Sequence, residues 1–200
     1  DNSAMVTIGI PVFNGERLIA RAIESVFSQS FNNYQVIISD NASTDSTRRT
    51  CEDLAVKDPR FEYVRQTKNI GAYANFVSLL RQTHTKYFVF LAADDYWEPE
   101  FLSRTIEELE CNERAVACIS KVMFELDGKD LFPARGDCEI RGSRTKRLNR
   151  YLLHPRDNSR FYSVFKTEVL LAAIEGLQPF HSLDWYVMAL TLRDGEHLSI

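Results

Sequence analysis

Short apolar runs rich in β-branched residues alternate with helical stretches from Val6 to Phe124. The first run, Val6 to Val12, is broken by Pro11, and apolar residues then recur at helical spacing from Leu18 to Phe27. Strands that are apolar on both faces and separated by helical crossovers build parallel sheets with helices on both sides. The alternation therefore predicts an open, mainly parallel α/β fold of the Rossmann-like kind.

The same periodicity predicts the other elements of the chain. Strands are expected at residues 34–39, 61–65, 86–93 and 116–124, and helices at residues 43–55, 71–81 and 99–111. Residues 127–160 combine glycines, prolines and charges with weak periodicity, which predicts loops around a short helix. A second apolar region follows, with a strand predicted at residues 161–164 and helices at 168–174 and 183–192.

Length and composition limit the classes of protein to which the chain can belong. With 200 residues and 44% hydrophobic content, it has the material for one globular domain, expected over residues 5–200. A net charge of -4 argues against a nucleic-acid partner, because binding phosphates requires a basic surface. Four cysteines without C-x-x-C spacing predict a reducing, cytoplasmic location.

Neither end of the sequence carries a recognisable targeting or membrane segment. Residues 1–4 lack the order of a signal peptide, and no apolar run reaches the roughly 18 residues of a membrane span. The apolar-leaning last residues, 198–200, lead us to expect that the natural chain continues beyond Ile200.

Three of the predicted strands end in side chains that are suited to binding or catalysis. Phe13-Asn14 follow the first strand, Asp40-Asn41 the second and Asp94-Asp95 the fourth. In an open parallel sheet the ligand crevice lies beyond the carboxyl ends of the strands. We therefore expect these groups to converge on one crevice.

Asp94 and Asp95 are adjacent carboxylates at the end of an apolar strand. Like charges at this spacing repel each other, and a divalent cation relieves the repulsion while it bridges to diphosphate oxygens. The alternative is that Asp95 caps the helix expected from Pro99. The two interpretations stay open at this point.

Asp40 and Phe13 also have two interpretations each. Asp40 is placed to accept an N–H group of a nucleotide base, or to organise a capping loop in which Ser43 or Thr44 opens the next helix. The Phe13 ring is suited to stacking on a base, or to packing in the core as most aromatic side chains do.

Three segments, in this order and spacing, resemble the family 2 glycosyltransferases with a GT-A fold. They are Ile10-Pro11-Val12-Phe13-Asn14, Ser39-Asp40-Asn41-Ala42-Ser43-Thr44-Asp45 and Ala93-Asp94-Asp95. The resemblance implies a nucleotide-diphosphate sugar donor, most of all a UDP-sugar, whose nucleotide is held by Pro11, Val12, Phe13, Asn14 and Asp40. It also implies that Asp94 contacts the ribose, and that Asp94 and Asp95 bind Mn²⁺ or Mg²⁺.

Two further segments extend the resemblance. Asn69-Ile70-Gly71 followed by Asn75 is similar to the family's N-x-G segment, which closes over the nucleotide, although a plain loop-to-helix junction would have the same pattern. His181-Ser182-Leu183-Asp184-Trp185 resembles the late E-D-W segment. That match implies that Asp184 is the catalytic base of an inverting transfer, and a helix N-cap is the alternative.

This chain departs from the family pattern at two positions. Ala92 stands where many relatives have the first aspartate of D-x-D-D, and Leu183 stands where many have glutamate. The first change leaves metal binding to Asp94 and Asp95, and the second removes an acceptor-side contact.

The resemblance as a whole implies one GT-A-type domain with a nucleotide-sugar-binding half over residues 5–125 and an acceptor-side half over residues 126–200. The expected reaction transfers a sugar to a hydroxyl of a glycan or lipid-linked acceptor. The alternative is a nucleotide-sugar-binding or scaffolding protein of the same fold that has lost turnover. A nucleotidyltransferase is disfavoured, because the first strand is not followed by a glycine-rich phosphate loop.

The segment from Arg141 to Arg156 is basic and contains no acidic residue. It is suited to an anionic acceptor, a diphosphate or a phospholipid surface, which would bring peripheral contact with the inner face of the membrane. A solvated loop and helix without a ligand is the alternative.

Overall fold

The computed structural model describes residues 3–126 and 130–200, and the chain divides into two compact units, one up to Ser103 and one from Arg104. The division lies earlier in the chain than the boundary at residues 125 and 126 that we expected between two halves of one domain. It falls within helix α4, Phe101–Cys111.

The first unit contains a four-stranded parallel sheet, as the alternation predicted. Its strands are β1 (Val6–Val12), β2 (Tyr34–Asp40), β3 (Phe61–Arg65) and β4 (Tyr87–Phe90), in the order β3-β2-β1-β4. The crossovers contain α1 (Ile19–Phe27), α2 (Thr47–Ala55) and α3 (Ala72–Arg81). Residues of β1 and β4 are buried throughout, which explains why these strands are apolar on both faces.

The strand order reverses between β1 and β4. From β1 the chain proceeds to β2 and then β3 on one side, and it returns to β4 on the other side. Such a reversal leaves the loops after the two adjacent strands free to diverge, and the resulting crevice is where open α/β sheets bind ligands. The candidate site therefore lies at the carboxyl ends of β1, β2 and β4.

The second unit contains three paired strands and a separate hairpin. Strand β5 (Ala115–Ile119) pairs antiparallel with β8 (Val164–Lys166) and parallel with β9 (Glu196–Ser199). Strands β6 (Met123–Leu126) and β7 (Asp130–Pro133) form a separate antiparallel pair. The helices are α5 (Arg144–Leu153), α6 (Thr167–Ile174) and α7 (Leu183–Asp194), with a 3-10 helix at Ser159–Tyr162.

Several predicted boundaries were wrong. The strand expected over residues 116–124 ends at Ile119, because the residues after it turn into the hairpin. The strand expected at residues 161–164 is a 3-10 helix up to Tyr162, and β8 begins only at Val164. Strand β9 was not predicted, since Glu196-His197-Leu198-Ser199 has no apolar run; pairing with β5 makes it a strand.

Within residues 3–126 and 130–200, no helix combines the length and the hydropathy that crossing a bilayer requires.

Candidate functional site

Asp40 lies at the end of β2, beside Val12 of β1 in the strand register. Its side chain is 0% exposed. The Ser43 backbone N–H donates to Oδ1 at 2.8 Å, and the Tyr63 hydroxyl donates to Oδ2 at 2.6 Å. The guanidinium of Arg65 also lies 3.5 Å from Oδ2. Asp40 therefore organises the loop after β2, and contact with a base N–H stays a prediction.

The loops that follow β1 and β2 are joined by a network of hydrogen bonds. The Asn14 N–H donates to Ser43 Oγ at 2.9 Å, and Asn14 Oδ1 accepts from the Thr44 N–H at 2.9 Å. The Gly15 N–H donates to Thr47 Oγ1 at 2.8 Å. Asn14 has a φ of 53°, a left-handed conformation that asparagine tolerates better than most residues. This network fixes the segment that follows β1.

Helix α2 begins at Thr47 rather than at Ser43, because residues 43–45 belong to this network. Asp45 accepts from the Thr47 N–H at 3.0 Å, so it caps the first turn of the helix. Burial tends to raise the pKa of Asp45, but hydrogen bonds from the Thr47 hydroxyl and from backbone N–H groups outweigh it, and the pKa is lowered.

Phe13 is exposed over 49% of its surface, so the core interpretation of this residue is wrong. Pro11 and Val12, which precede it, are buried in β1, and the Val12 carbonyl accepts from the Asn41 N–H at 2.8 Å. Because Pro11 and Val12 are buried, a ligand can contact them only at the position where β1 ends. The Phe13 ring is the group that the end of β1 presents to solvent, where it is available for stacking on a base.

The segment from Asn69 to Gly71 is held by Asn41. Asn41 Nδ2 donates to Asn69 Oδ1 at 3.1 Å, and the Ile70 N–H donates to Asn41 Oδ1 at 2.8 Å. Gly71 precedes α3 with a φ of 85°, and an added Cβ would meet no atom within 4 Å. Glycine is thus required by the backbone conformation, and the surface beside it is open to a ligand.

Asp94 and Asp95 follow β4 and are exposed, and no hydrogen-bond donor in the described part of the chain reaches their carboxylates. The helix-cap interpretation of Asp95 is not supported, because α4 begins at Phe101 and its Leu102 N–H donates to Gln29 Oε1 at 3.0 Å. Gln29 Nε2 also donates to the Glu98 carbonyl at 2.8 Å. Gln29 anchors the loop, and the carboxylates stay free.

The electrostatics of the pair favour an added cation. Although Asp95 is exposed to solvent, desolvation by the surrounding protein and, second to it, the charge of Asp94 together raise its pKa to about 6. A bound proton or divalent cation relieves this repulsion. Among the described residues, no group of three or more His, Cys, Asp or Glu side chains could hold a metal ion. Two carboxylates alone are fewer oxygen ligands than Mn²⁺ or Mg²⁺ takes, so metal binding by Asp94 and Asp95 stays a prediction.

Asp184 lies in the second unit, in the first turn of α7. Ser182 occupies the cap position with a φ of 63°, so Asp184 is not the N-cap. Its Oδ2 accepts from Asn158 Nδ2 at 2.7 Å, and Asn158 Oδ1 accepts from the Tyr151 hydroxyl at 3.2 Å. Leu183 is buried, which accounts for an apolar residue where many relatives have glutamate.

The structure thus brings most of the predicted donor-site residues to one edge of the first sheet, whereas Asp184 belongs to the other unit. Sequence reasoning did not identify the supporting residues Tyr63 and Asn158, and it placed Asn41 at the crevice without identifying its contacts with residues 69 and 70. Asn41 lies in a segment that resembles the family, and its side-chain amide can both donate and accept a hydrogen bond, so a role in joining two loops could have been predicted. Tyr63 and Asn158 had no such signal, because they act on residues far away in the sequence.

The family model described as Glycosyl transferase family 2 matches residues 7–172. A relative in Campylobacter jejuni, GalNAc(5)-diNAcBac-PP-undecaprenol beta-1,3-glucosyltransferase, is 28% identical over 173 residues, which are 82% of this chain and 52% of that protein.

Two solved structures are similar over nearly the whole chain. TarS 1–349 from S. aureus has a TM-score of 0.77 at 18% identity, covering 98% of this chain and 57% of that one. TarS has also been solved in complex with UDP-GlcNAc. Mannosyltransferase PcManGT from Pyrobaculum calidifontis, in complex with GDP-Man and Mn²⁺, has a TM-score of 0.70 at 19% identity, covering 99% and 55%. These similarities confirm the predicted fold, and the chain spans little more than half of each of these two solved chains and of the Campylobacter relative.

Proposed function

Because the chain belongs to glycosyl transferase family 2, we propose that it transfers a sugar from a nucleotide-diphosphate donor, a UDP-sugar in the first instance, to a hydroxyl of a glycan or lipid-linked acceptor. One observation carries the donor part of the proposal: an exposed aromatic ring and two free carboxylates follow adjacent strands at the point where the strand order reverses.

In this proposal, different residues of the first unit contact different parts of the donor. The Phe13 ring would stack on the base, beside the segment that Asn14 and Asp40 hold in place. The open backbone at Asn69–Gly71 would approach the nucleotide, and Asp94 the ribose. Relatives solved with UDP-GlcNAc, and with GDP-Man and Mn²⁺, support a nucleotide-sugar donor and a divalent cation.

The carboxylates of Asp94 and Asp95 fit Mn²⁺ or Mg²⁺, since both ions prefer oxygen ligands. When bound, such an ion neutralises charge on the departing diphosphate. The role of the protein there is to keep two unpaired carboxylates at the end of a rigid strand.

Asp184 is the proposed base. Its carboxylate would remove the proton of the acceptor hydroxyl as that oxygen attacks the anomeric carbon, which gives inversion in one displacement. Asn158 is a positioning residue, because its amide donates to Oδ2 and leaves Oδ1 for the acceptor. A cytoplasmic location, and contact with the membrane through the basic segment, stay predictions.

Calorimetric titration tests the donor site. UDP, UDP-sugars, GDP and dTDP are titrated against the chain with Mn²⁺ and again with a chelator. We expect one nucleotide class to bind only with the metal, and Asp95→Asn to weaken that binding at least about tenfold, since it removes one of two carboxylate ligands. Glu98→Gln, an exposed acid three positions later, is the matched control and should bind as the unmodified chain does.

Asp184→Asn tests the division of roles. Donor binding should stay within about twofold, whereas transfer, followed as UDP release with glycan acceptors, should fall by about 10³-fold or more, as when a general base is lost. Equal loss of donor binding in both aspartate variants would contradict this division. Donor binding without any transfer by the unmodified chain would favour the non-catalytic alternative.

A further inference from the structure

The second unit contains a cavity of about 520 Å³, beside α5. Its lining carries four cationic side chains, Lys146, Arg150, Arg156 and Arg160, and one carboxylate, Asp157. A cavity of this size has the volume of a small-molecule site. The excess of positive charge indicates that its ligand is an anion.

Asp157 is held by other donors among the described residues and forms no ion pair with these cations, although its charge acts on Arg160. Its Oδ2 accepts from the Arg135 and Gly136 N–H groups at 2.6 Å and 3.0 Å, and its Oδ1 accepts from the Ser159 N–H at 3.2 Å. Burial tends to raise the pKa of Asp157, but these hydrogen bonds outweigh it and lower the pKa. Within the described ranges, no ion pair joins Asp157 to any of the four cations.

Arg160 is the most informative of the four, because it is only 3% exposed. One guanidinium nitrogen donates to the Cys138 carbonyl at 3.3 Å, and the guanidinium carbon lies 5.5 Å from the centre of the Tyr151 ring. Its Nε has no hydrogen-bond partner among the described residues. A buried guanidinium without a carboxylate is costly, and a bound oxyanion offsets that cost through charge-assisted hydrogen bonds.

The other cations are available to the same ligand. Lys146 and Arg150 are exposed on α5, one turn apart, and neither donates a side-chain hydrogen bond to another described residue. Arg156 donates to the Arg135 carbonyl at 3.1 Å, which keeps its guanidinium at the cavity. Arginine and lysine in this combination are typical of phosphate recognition.

The cavity is linked to the proposed base by a chain of side chains. Tyr151 lines the cavity, and its hydroxyl donates to Asn158 Oδ1 at 3.2 Å. Asn158 in turn donates to Asp184 Oδ2 at 2.7 Å. Tyr151, which lines the cavity, is thus two hydrogen bonds away from the carboxylate that is proposed to act on the acceptor.

We propose that this cavity binds a phosphate or diphosphate group of the acceptor substrate, through Arg160 at its base and Lys146, Arg150 and Arg156 around it. The assignment to the acceptor rests on the proposed function, whereas anion binding itself follows from the cavity. A discrete phosphate ester suits the site better than a membrane surface, because Arg160 is buried and a flat array of headgroups cannot reach it.

Inorganic pyrophosphate is the probe, titrated by calorimetry against the chain without nucleotide or divalent metal. We expect saturable binding to one site per chain, which weakens as salt is added. Lys146→Gln with Arg150→Gln should weaken it at least about tenfold, because two charge-assisted contacts are lost. Arg144→Gln is the matched control: it lies at the start of α5, is exposed and does not line the cavity, so binding should stay within twofold.

Two further measurements separate the possible sources of the anion and the two proposals. UDP with Mn²⁺ should bind the Lys146 and Arg150 double variant as tightly as it binds the unmodified chain. If the unmodified chain binds UDP with Mn²⁺ but does not bind pyrophosphate, the cavity proposal is refuted and the donor-site proposal is not affected. If the unmodified chain binds pyrophosphate but no nucleotide, the donor-site proposal is refuted and anion binding by the cavity is supported. Binding to phosphatidylglycerol vesicles that depends on Lys146 and Arg150, in the absence of pyrophosphate binding, would overturn the proposal in favour of a membrane surface.

Discussion

A buried carboxylate such as Asp40 depends on each of its donors. Replacing Tyr63 by phenylalanine removes the 2.6 Å hydrogen bond to Oδ2 and leaves the more distant Arg65. We expect the free energy of unfolding to fall by ~1–3 kcal/mol, the usual cost of leaving a buried acceptor unpaired. Urea denaturation measures the change. Tyr186→Phe is the control, because the Tyr186 side chain is exposed and its hydroxyl has no partner in the described part of the chain; an equal loss there would refute the argument.

His197 makes stability depend on pH. Burial lowers its pKa well below 6.5, with the charges of Arg160 and Arg147 acting in the same direction. Its Nε2 lies 3.1 Å from Thr191 Oγ1, and its Nδ1 has no partner among described residues, so the ring is held neutral. The unfolded chain therefore binds a proton below pH 6.5 that the folded chain does not.

The contribution of His197 is present above pH 6.5 and is lost as pH falls below that value. Between pH 7.5 and pH 5.5 the unmodified chain should lose about 1.4 kcal/mol more unfolding free energy than His197→Gln. The raised pKa of Asp95 acts in the opposite direction in both proteins and cancels in this difference. Denaturant titrations at the two pH values provide the test, and parallel losses would show that His197 does not titrate as described.

At the scale of elements, α5 supports the end of α7 through a single arginine. Arg147 donates from Nε to the Leu192 carbonyl at 2.8 Å and from Nη2 to the Arg193 carbonyl at 3.0 Å. It also donates to the Gly142 carbonyl before α5. The bonds to Leu192 and Arg193 satisfy carbonyls that the last turn of α7 leaves without partners within the helix. The positive charge of Arg147 is also favourable at the carboxyl end of a helix.

Arg147→Lys keeps the charge but cannot reach three carbonyls at once. We expect it to lower the free energy of unfolding by ~2–4 kcal/mol, as several buried hydrogen bonds are lost together. Arg144→Lys, three positions earlier and exposed, should change it by less than ~0.5 kcal/mol. Thermal unfolding followed by circular dichroism at 222 nm compares the two, and similar midpoints would contradict the capping role.

At the scale of the whole molecule, donor binding should appear as thermal stabilisation. At a free concentration of about one hundred times Kd, UDP with Mn²⁺ should add ~2.7 kcal/mol, or roughly 5–10 °C in the midpoint for a chain of this length. The shift should vanish with chelator and in Asp95→Asn. A shift of equal size from UDP without Mn²⁺ would contradict a role of the metal in donor binding.

The residue pattern was enough to predict the parallel strands of the first unit and the strand ends that carry Phe13, Asp40, Asp94 and Asp95. It could do so because burial on both faces and helical crossovers leave a periodic pattern that is local in the chain. The Asp184 segment was likewise found from residues that are adjacent in sequence.

The hydrogen-bond partners of those residues, in contrast, depend on how the chain folds. The hydrogen bonds from Tyr63 to Asp40, from Asn41 to Asn69 and from Asn158 to Asp184 span 23, 28 and 26 positions, and periodicity carries no information at that range. The same holds for β9, which becomes a strand by pairing with β5, and for the basic segment. In the folded basic segment, Arg147 contacts the end of a helix, whereas Lys146 and Arg150 line a cavity. The three side chains carry the same charge in the sequence, and only their burial and their distances to other groups distinguish these positions.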